Sequence, residues 1–138
     1  MARVALTFPH GLPGFEQERN FSLVEEASRA PLLTIESETT PDLRFHALPV
    51  TLLDPAYELQ LSHEDLAALG IEQVSGGDQL LCLAILAAPE NGPLSANLLA
   101  PVVINCTERL AVQAVRVDQR YSHCHRLGDS LPEPAPCS

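Results

Sequence analysis

The chain contains no lysine: its eight basic residues are all arginines, set against eighteen acidic ones, for a formal net charge of −10. A surface of that sign disfavours nucleic-acid phosphates and anionic lipid and suits a basic protein partner. Long apolar runs are missing too. No stretch approaches the ~20 residues needed to span a bilayer. Between Arg3 and Phe8 there is no room for the apolar core of a secretory leader, so the cytoplasm is the expected compartment. The four cysteines lack any paired C-x-x-C spacing, and 138 residues can bury a core without disulfide staples. Walker A loop, Rossmann glycine fingerprint and basic aromatic platform are all absent, so neither a cofactor nor a direct nucleic-acid ligand is expected.

What is present is β-prone. A chain 46% hydrophobic and 19% charged folds, and its apolar residues fall in short runs. Val4, Leu6 and Phe8 alternate with Ala5 and Thr7, which predicts a half-buried strand over Ala2–Phe8. Gly11-Leu12-Pro13-Gly14 is a compact turn, with Leu12 and Phe15 as anchors that pin it to the core. Further strands are expected from Phe21, over Pro31–Glu36 and over Leu43–Val50. A short amphipathic strand is expected where Tyr57, Leu59 and Leu61 alternate with Glu58 and Gln60. Ser62-His63-Glu64-Asp65 opens the one expected helix, capped by Ser62 and stopped by Gly70.

The organising stretch is Leu94–Asn105, flanked by the apolar runs Gln79–Ala87 and Leu110–Val117. Three such runs on short connections predict the centre of an antiparallel sheet. Pro101 cannot donate a ladder hydrogen bond, so a bend or strand change is expected there. Asn91-Gly92 is a type I′ hairpin signal. Residues 1–127 are read as one mainly β domain, a small closed or nearly closed antiparallel β-barrel with one short helix. A two-layer β-sandwich is the alternative. Residues 128–138, with Pro132, Pro134 and Pro136, read as a loose tail.

Chemistry-bearing clusters are weak. His123-Cys124-His125 suggests zinc, but in an extended segment the two histidines face one side and Cys124 the other. Asp118, Ser122, His123 and Cys124 are close in sequence, yet no nucleophile elbow accompanies them. Cys82 and Cys106 read as small core residues. Asn97 and Asn105 read as side chains that end ladders or cap turns. Tyr57 and Tyr121 serve either the core or an interface.

Two segments carry a resemblance. Asn97-Leu98-Leu99-Ala100-Pro101-Val102-Val103-Ile104-Asn105 resembles the N-L-x-A-P-[VIL]-[VI]-[VI]-N signature of the FliW family of bacterial flagellar assembly factors. Phe8-Pro9-His10-Gly11-Leu12-Pro13-Gly14-Phe15-Glu16 resembles the same family's F-x-x-G-[LI]-P-G-F-E. The segment Tyr121–Leu127 follows the family's late motif only roughly, with Arg126 at the motif's proline and Cys124 at its arginine. The family usually has another strand before Ala5–Phe8, and without it an exposed sheet edge or altered oligomerisation is expected.

The resemblance implies a small β-barrel that is not an enzyme. It implies binding to the carbon-storage regulator CsrA, relief of flagellin translation from repression, and a competing association with flagellin. Leu12, Phe15, Tyr57 and Tyr121 are the candidate partner-binding residues. A small β-barrel ligand-binding or enzymatic module, marked by a deep polar pocket, is the second reading. A structural assembly factor that binds flagellin alone is the third.

Overall fold

The computed structural model describes residues 2–72, 80–87, 94–115, 122 and 125–126. Seven strands close a barrel: β1 (Ala2–Thr7), β2 (Asn20–Glu25), β3 (Leu33–Ser37), β4 (Arg44–Pro49), β5 (Leu80–Ala87), β7 (Val102–Asn105) and β8 (Leu110–Gln113). Their order around the barrel is β1-β2-β3-β4-β5-β7-β8. All neighbours are antiparallel except at the seam, where β8 meets β1 in parallel through one pair, Thr7 with Leu110. Closure makes the fold a barrel and sets aside the sandwich. Two short strands, β6 (Ser95–Ala96) and β9 (His125–Arg126), extend β5 beyond the barrel. Asn91-Gly92 lies outside the described residues.

Leu6, Phe8, Phe21, Ile35, Leu83, Val102 and Ile104 fill the interior. Phe8 and Phe21 meet edge to face at 5.1 Å, a favoured geometry for two rings. The strands β5, β7 and β8 are also covered outside. One outer cluster joins Val50, Ala84, Ala96 and Leu98, and the other joins Ala68, Leu69, Val103, Val112 and Ala114. Burial on both faces explains why these strands show no polar alternation, and Val102, Val103 and Ile104 are successive and all buried.

The covering layer departs from expectation. Tyr57–Leu61 is not a strand, although its exposure alternates as read. The period reports one buried face, while a strand also needs a ladder neighbour. Here Tyr57, Leu59 and Leu61 press onto the outer clusters instead. A second helix, α1 (Val50–Leu53), follows β4, and its buried Val50 seats it. One turn is too short to show a helical period, and β-branched Val50 reads as the end of the expected Leu43–Val50 strand. The helix α2 (His63–Leu69) is the expected one. Ser62 and Asp65 form a reciprocal capping box, and Gly70 ends the helix at φ 75°. Among the described residues no helix is long and apolar enough to cross a membrane.

Two asparagines hold the organising stretch in shape. Between β6 and β7 the chain leaves the ladder. Leu86 faces Ala96 and Leu83 faces Val102, so three steps along β5 match six along this segment. Asn97 Oδ1 accepts from the Leu99 and Ala100 amides, each at 3.0 Å. Gln113 donates to the Ala100 carbonyl, and Ala114 N–H to that of Pro101. At the far end, buried Asn105 donates to the Leu69 carbonyl at 2.8 Å and accepts from the amides of Thr107 and Glu108. One side chain thus ends α2 and caps the turn into β8.

Cys106, expected in the core, is exposed, because β7 ends at Asn105 and the chain turns outward. Cys82 does pack inside the covering layer, where burial pushes its thiol up to about 12. Alkylation of the native protein at neutral pH, followed by peptide mapping, is expected to modify Cys106 and spare Cys82 until unfolding. Asn105→Ala strands a buried carbonyl and two amides and is expected to cost about 2–4 kcal/mol. Ser62→Ala should cost about 1 kcal/mol. Urea denaturation of both variants checks the ranking.

Candidate functional site

The Phe8–Glu18 loop is shaped by its own backbone. Leu12 and Phe15 bridge across Pro13-Gly14, with Phe15 N–H donating to the Leu12 carbonyl at 2.7 Å. Proline followed by a glycine at φ 87° is the requirement of a type II turn. Gly11 is more tightly constrained. It has φ 66°, and a Cβ there would lie 2.5–2.7 Å from the backbone of Glu16. The loop therefore folds back on itself only with glycine at position 11.

The two anchors of this turn end in different surroundings. Leu12 is 3% exposed and joins the barrel interior, as expected. Phe15 is 41% exposed. It is not a core anchor: the buried cluster that takes in Leu12 does not include it. Its ring meets half-buried Phe45 edge-on at 6.0 Å. A solvent-facing phenylalanine held by a second ring is a preorganised apolar contact.

Across from Phe15 stands the loop between β3 and β4. Glu18 joins the two: its carboxylate accepts from Ser37 Oγ at 3.2 Å, Thr39 Oγ1 at 2.9 Å and Thr40 Oγ1. Ser37 Oγ in turn accepts from the Thr39 and Thr40 amides. Between these walls lies an open cleft of about 480 Å³, lined by Phe15, Leu43 and Thr40 and by the acids Glu16 and Glu18. Glu16 accepts from the Gly14 amide at 3.0 Å. That backbone hydrogen bond, with one from its own amide, holds the Glu16 carboxyl below the usual carboxylate range.

The cleft thus presents an ionised carboxylate beside an exposed aromatic face. Such a pair suits a basic or apolar side chain of another protein. Among the described residues no group of three or more His, Cys, Asp or Glu could hold a metal ion. His123 and Cys124 of the zinc candidate lie outside those residues.

Of the four candidate residues, the structure brings Leu12 and Phe15 into one turn. Tyr57 sits elsewhere, half-buried against Val50, Ala96 and Leu98, and its hydroxyl donates to the Leu98 carbonyl at 2.6 Å. Tyr121 lies outside the described residues. Reading the sequence missed Phe45, Glu18, Thr40 and Leu43. Glu16 was visible as the last residue of the turn motif. Glu18 carried no local signal, since its partners lie about twenty residues away and meet it only through the register that pairs Phe21 with Ser37.

Comparison with known proteins follows the same span. The family model described as "FliW protein" matches residues 2–127. The flagellar assembly factor FliW 2 of Desulfotalea psychrophila is 32% identical over 117 residues, covering 85% of this chain and 76% of that protein. The FliW of a Geobacillus species is 33% identical over 121 residues, covering 87% and 81%. A crystal structure of a flagellar assembly factor FliW superposes with a TM-score of 0.75 at 31% identity, covering 88% of this chain and 84% of that one.

Gly11→Ala is expected to destabilise the protein by more than about 1 kcal/mol. Gly14→Ala, with nothing within 4 Å of its new methyl, should bear only the cost of its backbone conformation. Thermal melts of the two variants test the difference.

Proposed function

The chain belongs to the FliW family, and from that premise we propose that it is a cytoplasmic flagellar assembly factor that works as a partner switch. In this reading it binds CsrA, frees flagellin translation from repression, and exchanges the regulator for flagellin. It acts by association and catalyses no reaction. The observation that carries the reading is the match over residues 2–127. The net charge of −10 supports it, because a regulator that binds RNA phosphates is basic at its working surface.

For the docking face we propose the cleft around Phe15 and Glu16, with Leu12 holding the turn from beneath. Phe15 supplies exposed apolar area on a rigid support, and Glu16 supplies a fixed negative charge. Leu12 acts through position. Tyr57 acts through the Leu98 bend, and Tyr121 remains a proposed contact on sequence grounds alone.

Calorimetric titration with CsrA, repeated with flagellin present, tests the switch: flagellin should weaken the apparent affinity. Tight flagellin binding with no CsrA binding would reduce the protein to an assembly factor. Binding of neither would overturn the reading. Phe15→Ala is expected to weaken association about tenfold. Glu16→Gln should weaken it less and flatten its salt dependence. The Glu16 contribution is present above its lowered pKa and lost as pH falls through it. Binding should therefore persist into the acid range where an ordinary glutamate is already protonated.

A further inference from the structure

Among the described residues, the seam of the barrel leaves most of one edge of β1 without a neighbour. Strand β1 pairs with β2 over all six of its residues, but with β8 only at Thr7. The hydrogen bonds fix which way its backbone groups point. Phe8 N–H reaches the Arg19 carbonyl on the β2 side, and Thr7 N–H reaches the Arg109 carbonyl on the β8 side. By the alternation of a strand, the N–H and C=O of Arg3 and Ala5 also point to the β8 side. No strand lies alongside them among the described residues, and Ala2, Arg3, Val4 and Ala5 are all exposed. Val4 shares the inward face with Leu6, yet it is 37% exposed where Leu6 is 3%.

Edges of this kind are usually blunted by charge, proline or a bulge. Here the only charged side chain is Arg3, and it is drawn away across β2 to Glu36 at 3.1 Å. The remaining residues, Ala2, Val4, Ala5 and Leu6, are small or apolar.

We propose that this edge pairs antiparallel with the same edge of a second copy of the chain, giving a weak two-fold dimer centred on Val4. The register is self-complementary. Placing Arg3 opposite Ala5 and Ala5 opposite Arg3 pairs all the free backbone groups of both copies in four hydrogen bonds. It sets Val4 against Val4 in the close, non-hydrogen-bonded position, and no like charges face each other directly. One isologous patch is sufficient, as two-fold symmetry requires. A five-residue contact falls below the area of standard stable interfaces, so association belongs to the micromolar-to-millimolar range. Each copy carries a net charge of −10, so salt strengthens the dimer by screening. That is the opposite sign to binding of a basic partner.

Sedimentation equilibrium over micromolar to millimolar protein, at low and high salt, tests the proposal, with hydrogen exchange at Arg3 and Ala5 as the local readout. The expected result is a mass rising from 14.9 kDa toward twice that value, more readily in high salt, with both amides protected as the dimer forms. Ala5→Pro removes an edge donor that β2 does not use. Val4→Lys sets two charges together at the two-fold axis, and its partial exposure keeps that variant informative if the proline variant misfolds. Each should weaken self-association at least about tenfold while the monomer's thermal midpoint stays in place. A monomer at every concentration and salt overturns the proposal. So does a dimer that survives both substitutions, and so does protection of Arg3 and Ala5 that appears only when CsrA or flagellin is added, which would give the edge to a strand of that partner.

Discussion

A chain that leaves a sheet and rejoins it must find partners for the backbone groups it carries out of the ladder. In this barrel that constraint falls on Asn97–Pro101. Each buried amide and carbonyl of the bend needs a substitute partner. The Asn97 carboxamide takes two amides, Gln113 and Ala114 serve two carbonyls, Tyr57 serves the Leu98 carbonyl, and Ser122 accepts from the Leu98 amide. The partners come from four separate parts of the chain. Satisfying one bend therefore ties β8, the segment at Tyr57 and the approach to β9 to the centre of the sheet. Proline at 101 suits this position, since it brings no N–H that would need a partner.

The second asparagine carries the same logic to the other end of β7. Asn105 joins the last turn of α2 to the β7–β8 turn through one buried amide group. A helix of seven residues has little stability of its own. It persists because its N-terminus is capped, its apolar side fits the outer cluster, and its last carbonyl is held by the barrel. The covering layer and the barrel are in this sense one polar network with apolar packing on both sides of it.

The cleft is built on different physics. Phe15 and Leu43 supply its apolar lining, and its walls are two loops joined by Glu18. Three hydroxyls satisfy that carboxylate, so the acid is structural despite lying near the surface. Glu16 is the other kind of acid. A short-range backbone hydrogen bond fixes its charge and leaves it exposed to a partner. Two neighbouring glutamates divide the work of holding the site and presenting it.

Local physics determined much of this protein from the sequence alone. The period-two run at Val4–Phe8, the Ser62 cap, the Gly70 stop, the Pro13-Gly14 turn and the break at Pro101 each rest on interactions within a few residues, and each is where the sequence puts it. The two motif segments were legible for the same reason, since glycine and asparagine there answer to backbone geometry. Tertiary structure decided the rest. Tyr57–Leu61 has the period of a strand but found a sheet face where a ladder was expected. Phe15 is apolar but stays exposed, resting on Phe45 beside the buried Leu12. Cys106 follows four buried residues yet lies past the end of the ladder. Glu18 became a weld between loops through a strand register that no window of its own neighbourhood encodes. Periodicity tells how many faces of a segment are apolar, while the identity of what covers each face is set by residues far away in the chain.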